Sequence, residues 1–144
     1  MAGGPALAQS YRVEIEAPRE FARVLRQGLN LVRQQNDPAV GPERLKRLLE
    51  EAKREAAEVA ATEGYFSARV STRIDASTQP PTVHLALEPG SRTLVAAVEI
   101  RFRGPAADDP EAREALERVR EGWRLRPGQP FRQADWEDAK RAAV

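Results

Sequence analysis

Apolar residues at Leu45, Leu48, Leu49, Ala52, Ala56, Val59 and Ala60 recur at intervals of three and four. The stretch from Pro42 to Glu63 therefore reads as one long amphipathic helix. Its other faces are charged, and Glu43–Arg47, Lys46–Glu50 and Glu50–Arg54 are opposite charges four apart, expected to give weak surface support. Pro42 suits the first helical position, where its missing N–H is not needed. Gly64 is expected to take the left-handed cap conformation, with Tyr65 folding back over Val59 and Ala60.

The neighbouring segments show what such a stripe covers. Tyr11, Val13 and Ile15 alternate with Arg12, Glu14 and Glu16, the period of a half-buried strand. After Ala17-Pro18, a helix is predicted from about Arg19 to Gln34, with Phe21, Val24, Leu25, Gly28, Leu29 and Val32 inward. Past Phe66 the period becomes two. Ala68, Val70, Thr72 and Ile74 face one way, and Ser67, Arg69, Ser71, Arg73 and Asp75 the other. A proline-containing loop over 76–81 leads to Val83, Leu85 and Leu87, so the two segments form a hairpin. Strand, helix, helix, strand, strand restricts the topology. The first and third strands run parallel, the second and third antiparallel, and the third lies between them. The expected fold is α+β: a three-stranded mixed sheet with two helices on one face and the first and second strands as open edges.

The pattern then restarts. Val95 to Arg103 alternates, with Ala96, Val98, Ile100 and Phe102 inward. Asp109-Pro110-Glu111 starts a helix, with Asp as cap, that carries Ala112, Ala115, Leu116 and Val119 to about Gly122-Trp123. Arg124 to Phe131 is a loop, and a second helix runs from Ala134 to Val144 with Trp136, Ala139 and Ala143 on one face. Strand, helix, helix is present and the two closing strands are not. The expected organisation is a complete module over 9–89 and a partial, truncated one over 90–144. The second is expected to be loose or to be completed by another chain, giving a strand-exchanged oligomer.

Composition narrows the function classes. Hydrophobic residues make up 41%, enough for a core, and no apolar run approaches the ~20 residues of a membrane span. Net charge is +1, which gives no global field toward nucleic acid or anionic lipid. Arg greatly outnumbers Lys, and coding bias explains that better than a design for phosphate. With no cysteine, thiol catalysis, disulfides and Cys-ligated metals are excluded. Ala6-Leu7-Ala8 before Gln9 has the small-x-small form of a signal-peptidase site. The apolar region that should precede it is missing, and Met1-Ala2-Gly3-Gly4 reads as an added start. Its place just before the first strand favours an exported protein.

Candidate chemistry is sparse. His84, the single histidine, lies on a predicted strand, where a surface or packed role explains it better than a general base. Ser67 and Ser71 share a face with Arg69 and Arg73, and the pattern places no base beside them. Glu14 with Glu16 and Glu50 with Glu51 fit solvated faces, and Asp108-Asp109 fits helix capping. No glycine-rich phosphate loop occurs. No cofactor, no metal and no catalytic residue is assigned. Arg19, Arg23, Arg26 and Arg33 fall on one face of the first predicted helix, a solvated face or a contact for an acidic partner or lipid head groups. Stacking aromatics are not interleaved with them, which argues against nucleic acid.

The order of elements, with Glu63-Gly64-Tyr65-Phe66-Ser67-Ala68 between the second helix and second strand, resembles the polypeptide-transport-associated (POTRA) domains of the BamA and TamA outer-membrane assembly family. Leu125-Arg126-Pro127-Gly128-Gln129-Pro130-Phe131 resembles the family's inter-helix loop, and Asp135 to Arg141 the start of its following helix. Gly64, Tyr65, Phe66 and Gly128 carry the structural motif. The Tyr-Arg-Val-Glu-Ile start and the Arg-rich helices look closest to the TamA branch.

The resemblance implies a periplasmic, non-catalytic interaction scaffold whose parent protein carries an outer-membrane barrel. Its partners would be unfolded outer-membrane clients and an inner-membrane subunit. A POTRA domain of a two-partner secretion transporter or division protein is the alternative, and an enzyme accessory domain or small hydrolase a remote one. The edge of the sheet is then the expected docking strip, with Ser67, Arg69, Val70, Ser71 and Arg73 as its residues.

Overall fold

The computed structural model describes residues 10–144; the Ala6-Leu7-Ala8 motif lies outside the described residues. The chain divides into two compact units. One comprises the residues up to Ala61 together with Tyr65–Ser91, and the other Thr62–Gly64 with Arg92–Val144.

In the first unit β1 spans Arg12–Glu16, α1 Arg19–Gly28, α2 Asn30–Arg33, α3 Pro42–Thr62, β2 Arg69–Asp75 and β3 Thr82–Glu88. The fold is α+β, with a three-stranded mixed sheet in the order β1-β3-β2. β1 runs parallel to β3, with Val13 beside Val83 and Ile15 beside Leu85. β2 runs antiparallel to it, with Val70 beside Leu87 and Thr72 beside Leu85. The two strand periodicities dictate this order, because β3 is the strand that must be shielded on both edges. Val83 and Leu85 have no exposed surface. One face of the sheet joins Phe21, Leu25, Leu29, Leu31, Leu48 and the small residues Ala52, Ala56 and Ala60 of α3 in a single core. Ala52, Ala56 and Ala60, at four-residue spacing, form the fully buried part of the α3 stripe.

The single helix expected over 19–34 is instead two. α1 stops at Gly28, Leu29 turns extended (φ −68°, ψ 132°), and α2 resumes at Asn30. Leu29 and Leu31 are both buried. Two residues apart on a continuous helix they would point about 200° apart, so the break is what puts both in the core. Gly28, a weak helix former, supplies the place. The shift corrects the expected inner face. Ala22 is buried with Phe21 and Leu25, Val24 is 48% exposed, and Gly28 is exposed. On α3 the ion pairs form at three-residue spacing, Glu43–Lys46 and Glu50–Lys53, rather than the expected four. Exposed ammonium groups choose between such neighbours at little cost.

The second unit contains a short 3₁₀ turn over Pro105–Asp108, α4 at Arg113–Gly122 and α5 at Gln133–Ala142. The strand expected over 95–103 does not form as a strand. The segment has no regular secondary structure; Ala96, expected inward, is exposed, while Val98, Ile100 and Phe102 are half-buried and Glu99 and Arg101 exposed. No strand among the described residues pairs with it, and a ladder needs two strands. Asp109 does not cap α4. Its Oδ1 accepts from the Glu111 N–H at 2.9 Å, forming a turn, and the helix begins at Arg113. Ala115 is exposed, and Leu116 and Val119 are half-buried. Leu125 and Ala139 are the fully buried apolar side chains of this unit among the described residues. Trp123 and Trp136 meet edge to face, with centroids 5.9 Å apart.

Candidate functional site

β2 is an edge of the sheet, and among the described residues no strand lies beyond it. Arg69, Ser71 and Arg73 are exposed on the face away from the helices, and Val70 and Thr72 are half-buried on the other. The alternation holds until Ile74, which is 43% exposed near the strand's end. Of the expected docking residues, Arg69, Val70, Ser71 and Arg73 lie within β2. Ser67 does not: it sits in the turn that precedes the strand, displaced by the tight turn through Gly64 to Ser67.

The open face of the sheet is polar and follows the strand register. Glu14, His84 and Arg73 lie side by side across β1, β3 and β2, with His84 Nδ1 3.4 Å from Glu14 Oε2. Arg69 lies beside Glu88, and Ser71 beside Ala86. At the end of β2, Asp75 Oδ1 accepts from the Ser77 N–H at 3.0 Å and from its hydroxyl at 2.5 Å. These bonds hold the Asp75 carboxyl below the ordinary carboxylate range and organise the hairpin tip.

The motif between α3 and β2 is built as follows. Gly64 takes φ +90°, the Tyr65 N–H donates to Ala60 O at 3.0 Å, and the Tyr65 ring meets Phe21 edge to face with centroids 5.5 Å apart. Tyr65 does fold back on the helix, while Phe66 is 59% exposed. Sequence reasoning missed the role of Glu63. Its carboxylate receives Arg132 Nε at 2.9 Å, and its backbone carbonyl receives Arg92 Nε at 2.8 Å. Arg132 lies 69 positions away, so no local pattern could indicate it. The Glu63 hydrogen bond raises the pKa of Arg132.

The four arginines expected on one helix face are divided by the break at Leu29. Arg19, Arg23 and Arg26 are exposed on α1 and have no ion-pair partner among the described residues. Arg33 belongs to α2 and acts on Glu55 of α3. Burial raises the Glu55 pKa, Glu51 raises it further and Arg33 opposes the shift. Glu55 Oε1 is buried without a hydrogen-bond partner.

Among the described residues no helix is long and apolar enough to cross a membrane, and no group of three or more carboxylate or imidazole side chains could hold a metal ion. What the first unit offers chemically is a row of backbone donors and acceptors along β2, flanked by two guanidinium groups.

No protein-family model matches the chain, and no curated protein matches it. Among solved structures it is similar to the crystal structure of Haemophilus influenzae BamA POTRA3-5, at 16% sequence identity and a TM-score of 0.44. The likeness covers 96% of this chain and 49% of that one, so the chain spans about half the length of that structure.

Proposed function

We propose that this chain is a non-catalytic polypeptide-docking scaffold of the periplasm, belonging to an outer-membrane protein assembly or translocation factor of the BamA and TamA type. Its modules span 9–89 and 90–144, and its start and Arg-rich helices favour the TamA branch. The parent protein carries an outer-membrane barrel, and the partners are unfolded outer-membrane clients and an inner-membrane subunit. The observation that carries this reading is the place of β2 at the sheet edge, together with the Gly64-Tyr65-Phe66 turn that leads into it.

Backbone pairing along β2 recognises an extended strand without reading its sequence, which suits a receptor for many β-rich clients. Each backbone hydrogen bond adds about 1 kcal/mol net, so a short strip gives weak, reversible capture. Arg69 and Arg73 keep the edge from pairing indiscriminately and favour segments carrying acidic residues.

The test is proline at Val70 and, separately, at Ser71. Successive residues of an antiparallel edge strand direct their N–H groups alternately to the neighbour and outward. One of the two variants therefore keeps its ladder to β3 and loses only an outward donor. That variant should retain the circular dichroism spectrum while losing the amide shift changes that an acidic, alternating apolar peptide induces over Arg69–Asp75. Undiminished peptide binding by a folded variant of each kind would remove β2 as the docking strip.

A further inference from the structure

The outward face of α1 carries a charge arrangement that local physics disfavours. Arg19, Arg23 and Arg26 are spaced four and three residues apart, so they fall within an arc of about 60° on the helix. All three are exposed, and none has an ion-pair or hydrogen-bond partner among the described residues. Like charges at these spacings repel one another across a helical turn. Arg19 is also the first residue of the helix, at the positive end of its dipole. Glu20, the single carboxylate of α1, lies on the flank of the row.

α4 shows how a similar helix arranges charges that serve its own stability. It is also ten residues long, begins Arg-Glu and ends in Gly. Its Arg118 reaches Glu114 at 3.0 Å, and its Arg120 reaches Glu117 at 2.8 Å. Its arginines and glutamates are equal in number, whereas α1 sets Arg19, Arg23 and Arg26 against Glu20 alone. Aligned end to end, Arg23 and Gln27 of α1 stand where α4 has Glu117 and Glu121. The row on α1 thus lacks the compensation that α4 supplies to itself. What it offers instead is planar, permanently charged guanidinium donors shaped for carboxylates of another molecule.

The geometry narrows the anion. Net charge is +1, so nothing draws the chain toward an anionic bilayer from a distance. Val24 is 48% exposed, but it stands about 100° or more round the helix from each arginine, so no apolar group is placed to enter a membrane beside them. The arginines follow one another at about 6 and 4.5 Å along the axis. Those are the intervals of carboxylates on one face of a second helix; same-face residues of a strand stand about 6.8 Å apart and drift out of step.

We propose that Arg19, Arg23 and Arg26 form a docking row for an acidic helical segment of a partner polypeptide, one that presents three carboxylates along a single face. The inference does not rest on the docking role of β2, and either can fail alone.

The test follows backbone amide shifts of the full chain on titration with an alanine-rich helical peptide carrying three glutamates at intervals of four and three. That peptide should shift the amides of α1, and a peptide of the same composition with its glutamates spread round the helix should bind more weakly. Arg23→Gln should weaken binding about threefold and Arg23→Glu about tenfold. About 1 M salt, where the screening length is about 3 Å, should abolish it. Proline at Val70 or Ser71 in a folded variant should leave it unchanged. Arg23→Glu should also raise the thermal midpoint by about 1–2 °C, because it relieves the like-charge contacts on both sides. A fall in that midpoint would give the row a structural role and overturn the proposal. So would α1 shifts that are absent or indifferent to Arg23, equal binding of the two peptides, or association with phosphatidylglycerol vesicles in place of the peptide.

Discussion

The carbonyl oxygen of Phe131 occupies the space that a Cβ on Gly64 would need, well inside van der Waals contact, and Thr93 O lies 3.4 Å from the same point. The surrounding bonds fix the approach: the Thr93 N–H donates to Gly64 O at 2.8 Å and the Phe131 N–H to Thr93 O at 2.9 Å. Gly64 thus meets two demands, a φ of +90° and the absence of a side chain. Gly128, at φ +88° with nothing within 4 Å, meets only the first.

The two glycines should therefore respond differently. Gly64→Ala should cost roughly 2–4 kcal/mol, and Gly64→Asn should be no better although Asn tolerates positive φ, because its Cβ meets the same oxygen. Gly128→Asn should cost less than about 1 kcal/mol. Urea denaturation followed by the fluorescence of Trp123 and Trp136 measures both. Equal costs at the two sites, or rescue by Asn at Gly64, would show that the Phe131 contact is not what excludes a side chain.

Tyr11 is fully buried, and its hydroxyl donates to Leu31 O at 2.5 Å. Burial, with Asp37 adding and Arg44 opposing, pushes its pKa up from 10.0 to about 12. The unfolded chain therefore releases this proton first as pH rises. The contribution is fully present below pH 10 and is lost between pH 10 and about 12, to the extent of about 2–3 kcal/mol. Tyr11→Phe should cost about 1 kcal/mol at neutral pH through the lost hydrogen bond, and should flatten this alkaline decline. Urea midpoints from pH 7 to 11 in the two proteins give the comparison. Parallel curves would mean that other groups set the alkaline limit.

Glu55 titrates with the opposite consequence. Its folded pKa is raised by burial and by Glu51, so the ionised form weakens the fold at neutral pH. Stability from this group is present in acid and lost as pH rises through the raised value. Glu55→Gln should raise the thermal midpoint at pH 7, and the difference should close as the pH approaches 4. A variant less stable than the native chain at pH 7 would show that the carboxylate, not its neutral form, is favoured where α2 meets α3.

Much of this molecule is legible in the order of its residues. Alternation sets β1, β2 and β3, three-and-four spacing sets α3, and the sequence of elements with the hairpin forces β3 to the centre and β2 to the edge. These are local periodicities and chain-connectivity constraints, and both are written directly in the residues. Only the tertiary structure decided the rest. The break at Leu29 exists because Leu29 and Leu31 must both enter one core, which separates Arg33 from Arg19, Arg23 and Arg26 and sets it near Glu55. The grip of Arg92 and Arg132 on Glu63 joins residues distant in sequence. Val95–Arg103 has a strand's pattern but no ladder, because alternation prescribes which side chains turn inward and a hydrogen-bonded sheet requires a second strand that no periodicity within the first can supply.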